Sequence, residues 1–131
     1  MTFEHFALNV PDVPALVAWY REHLGLTIAT APGGATQTHF LADSSGRTIV
    51  EVYHNPAAPV LDFAATDPLV FHVAFVVADA PTEKDRLLAA GATLAQEVTA
   101  PDGSRLVMLR DPWGIAVQLC QRATPMPMGG R

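Results

Sequence analysis

A single cysteine, Cys120, leaves this 131-residue chain unable to form an internal disulfide, which agrees with a reducing compartment. Eight basic residues stand against thirteen acidic ones, a net charge of −5, and the basic residues form no cluster. A nucleic-acid backbone is therefore not an expected partner, and a small molecule is. Long apolar runs are also missing. The longest, "LVFHVAFVVA" from Leu69 to Ala78, contains a histidine and falls far short of the roughly 18 residues of a membrane span, so no membrane partner is expected. "MTFEHFALNV" at the start has no basic region ahead of an apolar one and no small-residue cleavage site, and the expected location is the cytoplasm. With 50% hydrophobic and 16% charged residues, residues 1–131 read as one soluble domain able to build a core.

What the chain does have is an internal repeat. "FEHFALNVPD" from Phe3 aligns with "VFHVAFVVAD" from Val70 at an offset of 67 residues, which lays His5 on His72, Ala7 on Ala74 and Asp12 on Asp79. Each copy runs into a helix start marked by an aspartate cap and a proline, Asp12 with Pro14 and Asp79 with Pro81. Val13, Leu16, Val17, Tyr20 and Leu24 give the first helix one apolar stripe that Gly25 ends; Leu87 and Leu88 anchor the second, which Gly91 ends. Short β-rich segments follow each helix: "LTIATA", "TQTHFLA" and "RTIVEVYH", then "ATLAQEV", "SRLVMLR" and "GIAVQLCQ". They are divided by the turn signals "PGG", "DSSG", "PDG" and "DPWG". The chain is thus a β-α-β-β-β unit written twice, an α+β fold. Module one spans 3–54, an Ala- and Pro-rich connector 55–68, module two 69–121, and a tail expected to be mobile 122–131.

Strand alternation selects the chemistry. In the first strand Phe3, His5, Ala7 and Asn9 share a face opposite Phe6, Leu8 and Val10; in its counterpart His72 and Ala74 oppose Phe71, Val73 and Phe75. The bulkier apolar face packs on the helix, leaving the histidines on the concave side. The offset of 67 also lays Gln118 on Glu51, each a polar residue in an apolar final strand. If the two units pair about a pseudo-twofold axis, His5, Glu51, His72 and Gln118 converge, and polar groups sharing one cavity need an ion or a hydrogen-bonded network to offset their burial. Two neutral imidazoles and one carboxylate are a set that holds a divalent first-row metal with positions open to substrate, and Gln118 adds a neutral amide oxygen. Cys120 shares the face of Gln118 by alternation, but a small buried hydrophobe is the ordinary role of such a thiol. Arg110 and Asp111 organise the turn before the last strand. Trp19, Tyr20 and Trp113 read as packing or interface residues, and neither His23 nor His54 reads as catalytic.

The doubled unit, with "FEHFALNV", "REHLGL", "IVEVY", "FHVAFVV" and "LRDPWGIAVQL" in this order, resembles the vicinal oxygen chelate superfamily. That group includes glyoxalase I, extradiol dioxygenases, methylmalonyl-CoA epimerase, fosfomycin-resistance enzymes and bleomycin-binding proteins. The resemblance covers residues 3–121 and includes the "LGL" after the first helix and the "RDPWG" turn. It implies two tandem βαβββ modules forming a curved, half-barrel-like mixed sheet with helices outside, and a homodimer. It also implies a divalent ion (Fe, Mn, Ni, Co or Zn) held by His5, Glu51, His72 and Gln118, with Glu51 catalytic, and substrate contacts from the middle strands at His39 and Arg105. The activities implied are lyase, isomerase, transferase or dioxygenase chemistry on an oxygen-chelating substrate. The sequence departs from the glyoxalase I pattern at Gln118, where that enzyme carries a proton-moving glutamate. A metal-free binding or sequestration protein of the bleomycin-resistance type is the alternative.

Overall fold

In a computed structural model, which describes residues 1–130, the chain divides into two compact units, Met1–Leu61 and Asp62–Arg131. The break falls inside the expected connector.

In the first unit, β1 (Phe6–Asn9) leads into α1 (Val13–His23), followed by β2 (Thr27–Gly33), β3 (Thr38–Ala42) and β4 (Thr48–Tyr53). The helix begins where its sequence says it should. The Asp12 carboxylate accepts from the Ala15 amide at 3.1 Å, and Gly25 just beyond the last turn takes φ 70°, a value only glycine adopts cheaply. Val13, Leu16, Val17 and Tyr20 are buried, and α1 packs on β4, whose Val50 and Val52 are buried as well. Each such side chain contributes about 1.5–3 kcal/mol when fully removed from water. The strands form a mixed sheet in the order β1-β4-β3-β2, with β1 parallel to β4 and the other pairs antiparallel.

The second unit repeats the plan with β5 (Val73–Val76), α2 (Ala80–Ala89), β6 (Thr93–Thr99), β7 (Arg105–Arg110) and β8 (Ala116–Gln121), ordered β5-β8-β7-β6. Asp79 caps α2 through the Thr82 amide and hydroxyl, and α2 packs on β7 and β8. The sequence repeat is reproduced as register: Phe6 faces Val50 and Ala7 faces Glu51 in the first unit, Val73 faces Val117 and Ala74 faces Gln118 in the second. Both first strands are shorter than their apolar runs suggest. His5 and His72 each lie one residue ahead of the strand, because the parallel pairing with β4 and β8 starts only at Phe6 and Val73.

Two side chains fix the connector. Asn9 donates to the carbonyls of Asn55 (3.1 Å) and Ala58 (3.2 Å) and accepts from the Asn55 amide, holding the first part to unit one. Arg110 donates to the carbonyls of Phe63, Thr66 and Gly114, holding the second part to unit two and closing the "DPWG" turn. Within that turn Asp111 is buried, its carboxylate accepting from the amides of Trp113 and Ile115. At the start of the tail, the Ala123 amide donates to the Ser104 hydroxyl at 3.0 Å, and Pro125 and Met126 flank a cleft described below. Arg131, also part of the expected mobile tail, lies outside the described residues. Among the described residues no helix is long and apolar enough to cross a membrane.

Candidate functional site

In unit one the register gathers a polar face. Ala7 and Phe40 both pair with Glu51, so they share its side of the sheet, and His5 lies two residues ahead of Ala7 on the same alternation. His5 Nε2 stands 3.2 Å from Glu51 Oε2 while Nδ1 stands 2.9 Å from Glu4 Oε1. Phe40 meets the imidazole edge to face, ring centres 5.3 Å apart. Carboxylates only accept, and a neutral imidazole has one N–H. One imidazole N–H serves one of the two carboxylates, and the other ring nitrogen faces the other carboxylate as a lone pair. An imidazole nitrogen and a carboxylate oxygen are donor types that a first-row divalent metal takes, so His5 and Glu51 would be able to hold one together.

Unit two carries the equivalent positions in a different state. The His72 ring lies against the Pro68 carbonyl oxygen, 2.7 Å from Nδ1. A carbonyl has no proton to give, so Nδ1 carries the hydrogen and Nε2 is left as a lone pair, the arrangement in which histidine ligates metals. Gln118, opposite Ala74, is half-buried and its amide oxygen accepts from the Cys120 thiol at 3.4 Å. Among the described residues, no three His, Cys, Asp or Glu side chains are gathered as a ready cation cluster. What the structure brings together is His5 with Glu51, and Glu4 behind them.

The two expected substrate contacts lie on the other faces of their sheets. His39 pairs with Val52, on the side opposite Glu51, and its Nδ1 is held by the Gln37 carbonyl at 2.7 Å. Arg105 pairs with Gln121, opposite the face of Gln118, and its charge helps hold the α2 cap Asp79 ionised. The arginine that alternation does put on the Gln118 face is Arg122, the next member of the series 118, 120, 122. Its guanidinium donates to Cys120 Sγ at 3.9 Å. Burial pushes the Cys120 thiol above its usual value, and the Arg122 charge opposes that shift without cancelling it. The series was present in the sequence, but Arg122 falls where the apolar strand pattern has already ended. Glu4 and Asn9 carried no signal of their own beyond their closeness to His5 in sequence.

Two mixed sheets in the same register, each with one helix and each with a histidine ahead of its first strand, define a tandem βαβββ protein. The chain belongs to the Glyoxalase/Bleomycin resistance protein/Dioxygenase superfamily, whose model matches residues 2–119. Its fold is similar to that of the fosfomycin resistance protein FosX from Listeria monocytogenes, with 15% identity, a TM-score of 0.71, and 97% of this chain and 95% of that one covered. It is also similar to TnmS3, an antibiotic binding protein from Streptomyces sp. CB03234, with 17% identity, a TM-score of 0.69, and coverage of 94% and 97%. TioX from Micromonospora sp. ML1 shares 22% identity at a TM-score of 0.66, with 92% and 98% covered. No curated protein matches it in sequence.

Proposed function

We propose that this protein is a divalent-metal-dependent enzyme acting on a small, anionic, oxygen-chelating substrate by isomerisation, elimination, addition or oxygenation, with His5, Glu51, His72 and Gln118 as its ligand set. The observation that carries this reading is the 3.2 Å approach of His5 Nε2 to Glu51 Oε2, with the other ring nitrogen turned to Glu4. When bound, the ion supplies Lewis acidity to the adjacent oxygens of the substrate. Glu51 supplies the one carboxylate of the set and is the group able to hold a proton. Glu4 orients the His5 ring, as carboxylates behind metal-binding histidines do. Gln118 cannot take a proton at neutral pH, so proton shuttling between two carboxylates of the glyoxalase I kind is not expected. An amide in place of a carboxylate also leaves one more unit of positive charge at the ion, which favours an anionic substrate. Location in the cytoplasm and a homodimer belong to the same reading.

The test is metal stoichiometry with an affinity readout. Chelator-stripped protein titrated calorimetrically with Co(II), Ni(II), Mn(II), Fe(II) or Zn(II) is expected to take one ion per chain, and His5→Ala to weaken that binding on the order of 100-fold. Protein that takes up none of these ions overturns the enzyme reading. The metal-free binding alternative is favoured by a separate observation: Val76, on the same strand face as Ala74, is 78% exposed, an open apolar position beside the polar one.

A further inference from the structure

The face of unit two that carries Gln118 continues past it into a cleft of about 340 Å³ walled by Ala74, Val76, Cys120, Arg122, Pro125 and Met126. That volume is at the lower end of the roughly 300–1,000 Å³ range of small-molecule sites. The wall is built from two sources. β5 and β8 supply the floor, since Val76 pairs with Cys120 across the parallel ladder. The chain beyond β8 supplies the side, anchored where the Ala123 amide meets Ser104. Val76 is 78% exposed and Met126 68% exposed, so large apolar groups stand open to solvent around a pocket whose one charged lining residue is Arg122. A neutral apolar ligand leaves that guanidinium unused. A carboxylate of the chain near it, Asp102, bonds the Ser104 amide and hydroxyl and is not part of the lining.

We infer that this cleft is a binding site for a small apolar monoanion, its ring or chain lying on Ala74, Val76 and Met126 and its acidic group paired with Arg122. None of the four expected metal ligands lines the cleft, so the site holds whether or not an ion is bound. Arg122 has five N–H donors and spends one on the Cys120 sulfur, leaving a planar fork suited to a carboxylate or sulfonate. Cys120 lies at the floor as a buried thiol, and the ligand approaches from the side of Val76.

Anilinonaphthalene sulfonate and its uncharged parent, phenylnaphthylamine, are a matched pair of fluorescent probes for this site. Titrated into the full chain in the presence of chelator, the sulfonate is expected to bind saturably, one per chain. Arg122→Gln weakens the sulfonate about tenfold and the parent less than about twofold, the size of one charge-assisted hydrogen bond near a surface. Val76→Asp weakens both probes about tenfold, and because Val76 is exposed in the fold the variant keeps its thermal transition. Glu51→Gln leaves both affinities unchanged, which separates this site from the metal reading. Non-saturating fluorescence, an Arg122→Gln variant that treats the two probes alike, or a Val76→Asp variant that binds as the parent protein does would each overturn the inference.

Discussion

The two units repeat one another in register, yet their open faces carry different chemistry. Unit one presents a histidine between two carboxylates, Glu4 and Glu51, with an aromatic edge beside it. Unit two presents a histidine held by a carbonyl, an amide held by a thiol, and a guanidinium two residues further on. The backbone is what the duplication preserved. Ala7 opposite Glu51 and Ala74 opposite Gln118 are the same position twice, with an acid at one and an amide at the other. The same register position thus holds a carboxylate in one unit and a neutral amide in the other, on a scaffold that makes no such distinction.

The largest effect expected from breaking the comparison is structural. Gly46 and Gly114 close equivalent turns, between β3 and β4 and between β7 and β8, at φ 82° and 87°. A methyl group at Gly46 meets nothing within 4 Å, whereas one at Gly114 would stand 2.6 Å from the Ala64 backbone nitrogen. Gly46→Ala is expected to cost about 1–2 kcal/mol from the left-handed conformation alone. Gly114→Ala adds about 1–3 kcal/mol of overpacking against the connector backbone. Urea unfolding of both variants measures the difference, and equal midpoints would show that Ala64 moves away freely.

Next in size is the exchange of acid and amide. Glu51→Gln is expected to weaken Co(II) or Ni(II) binding on the order of 100-fold, about 2.7 kcal/mol. Gln118→Glu, which adds a second carboxylate to the ligand set, is expected to hold the ion at least as tightly as the native chain. Isothermal titration of the two variants side by side is the measurement. Equal loss in both would mean that Glu51 is not the distinctive ligand. In an isomerising assay, unchanged activity in Gln118→Glu would contradict the reading of Gln118 as a lost base.

Much of this could be read in advance from the chain. Helix caps, stripes and stops are local signals, and Asp12, Asp79, Gly25 and Gly91 act where their spacing put them. The repeat offset carried the register because duplicated backbones pair alike. The offset laid Gln118 on Glu51, and strand alternation put them on the faces of Ala7 and Ala74, as the pairings show. Alternation gave no face for His39 and Arg105, on the middle strands, which the family resemblance alone put forward. His39 follows the turn at Gln37, whose φ of 55° resets the alternation, and Arg105 is the first residue of its strand. There the parity depends on hydrogen bonding across the sheet, which no local pattern reveals. Arg110 was read as an organiser of its turn, but its reach to the connector, like that of Asn9, was hidden for another reason. Their partners are backbone carbonyls of a connector between 44 and 50 residues away, and carbonyls look the same in every sequence.

The smallest effect concerns the caps. Asp12 receives one amide hydrogen bond, from Ala15, while Asp79 receives the Thr82 amide and hydroxyl together. Those two bonds favour the ionised carboxylate and hold Asp79 below the ordinary value of 3.8, with the Arg105 charge helping. A carboxyl depressed in the folded chain stabilises it fully above its unfolded value, and that stability disappears as pH falls through the lower folded value. Asp79→Asn keeps a capping oxygen but cannot titrate. The thermal advantage of the native chain over this variant should therefore be constant near neutrality and shrink below about pH 4, by a few degrees or less. Other carboxylates titrate in the same range, so the readout is the difference between the two proteins at each pH and not the melting temperature of either. A difference that stays flat down to about pH 2 would mean that the Thr82 pair contributes the same to the neutral and the charged cap, and that the second unit's extra hydrogen bond is structural only.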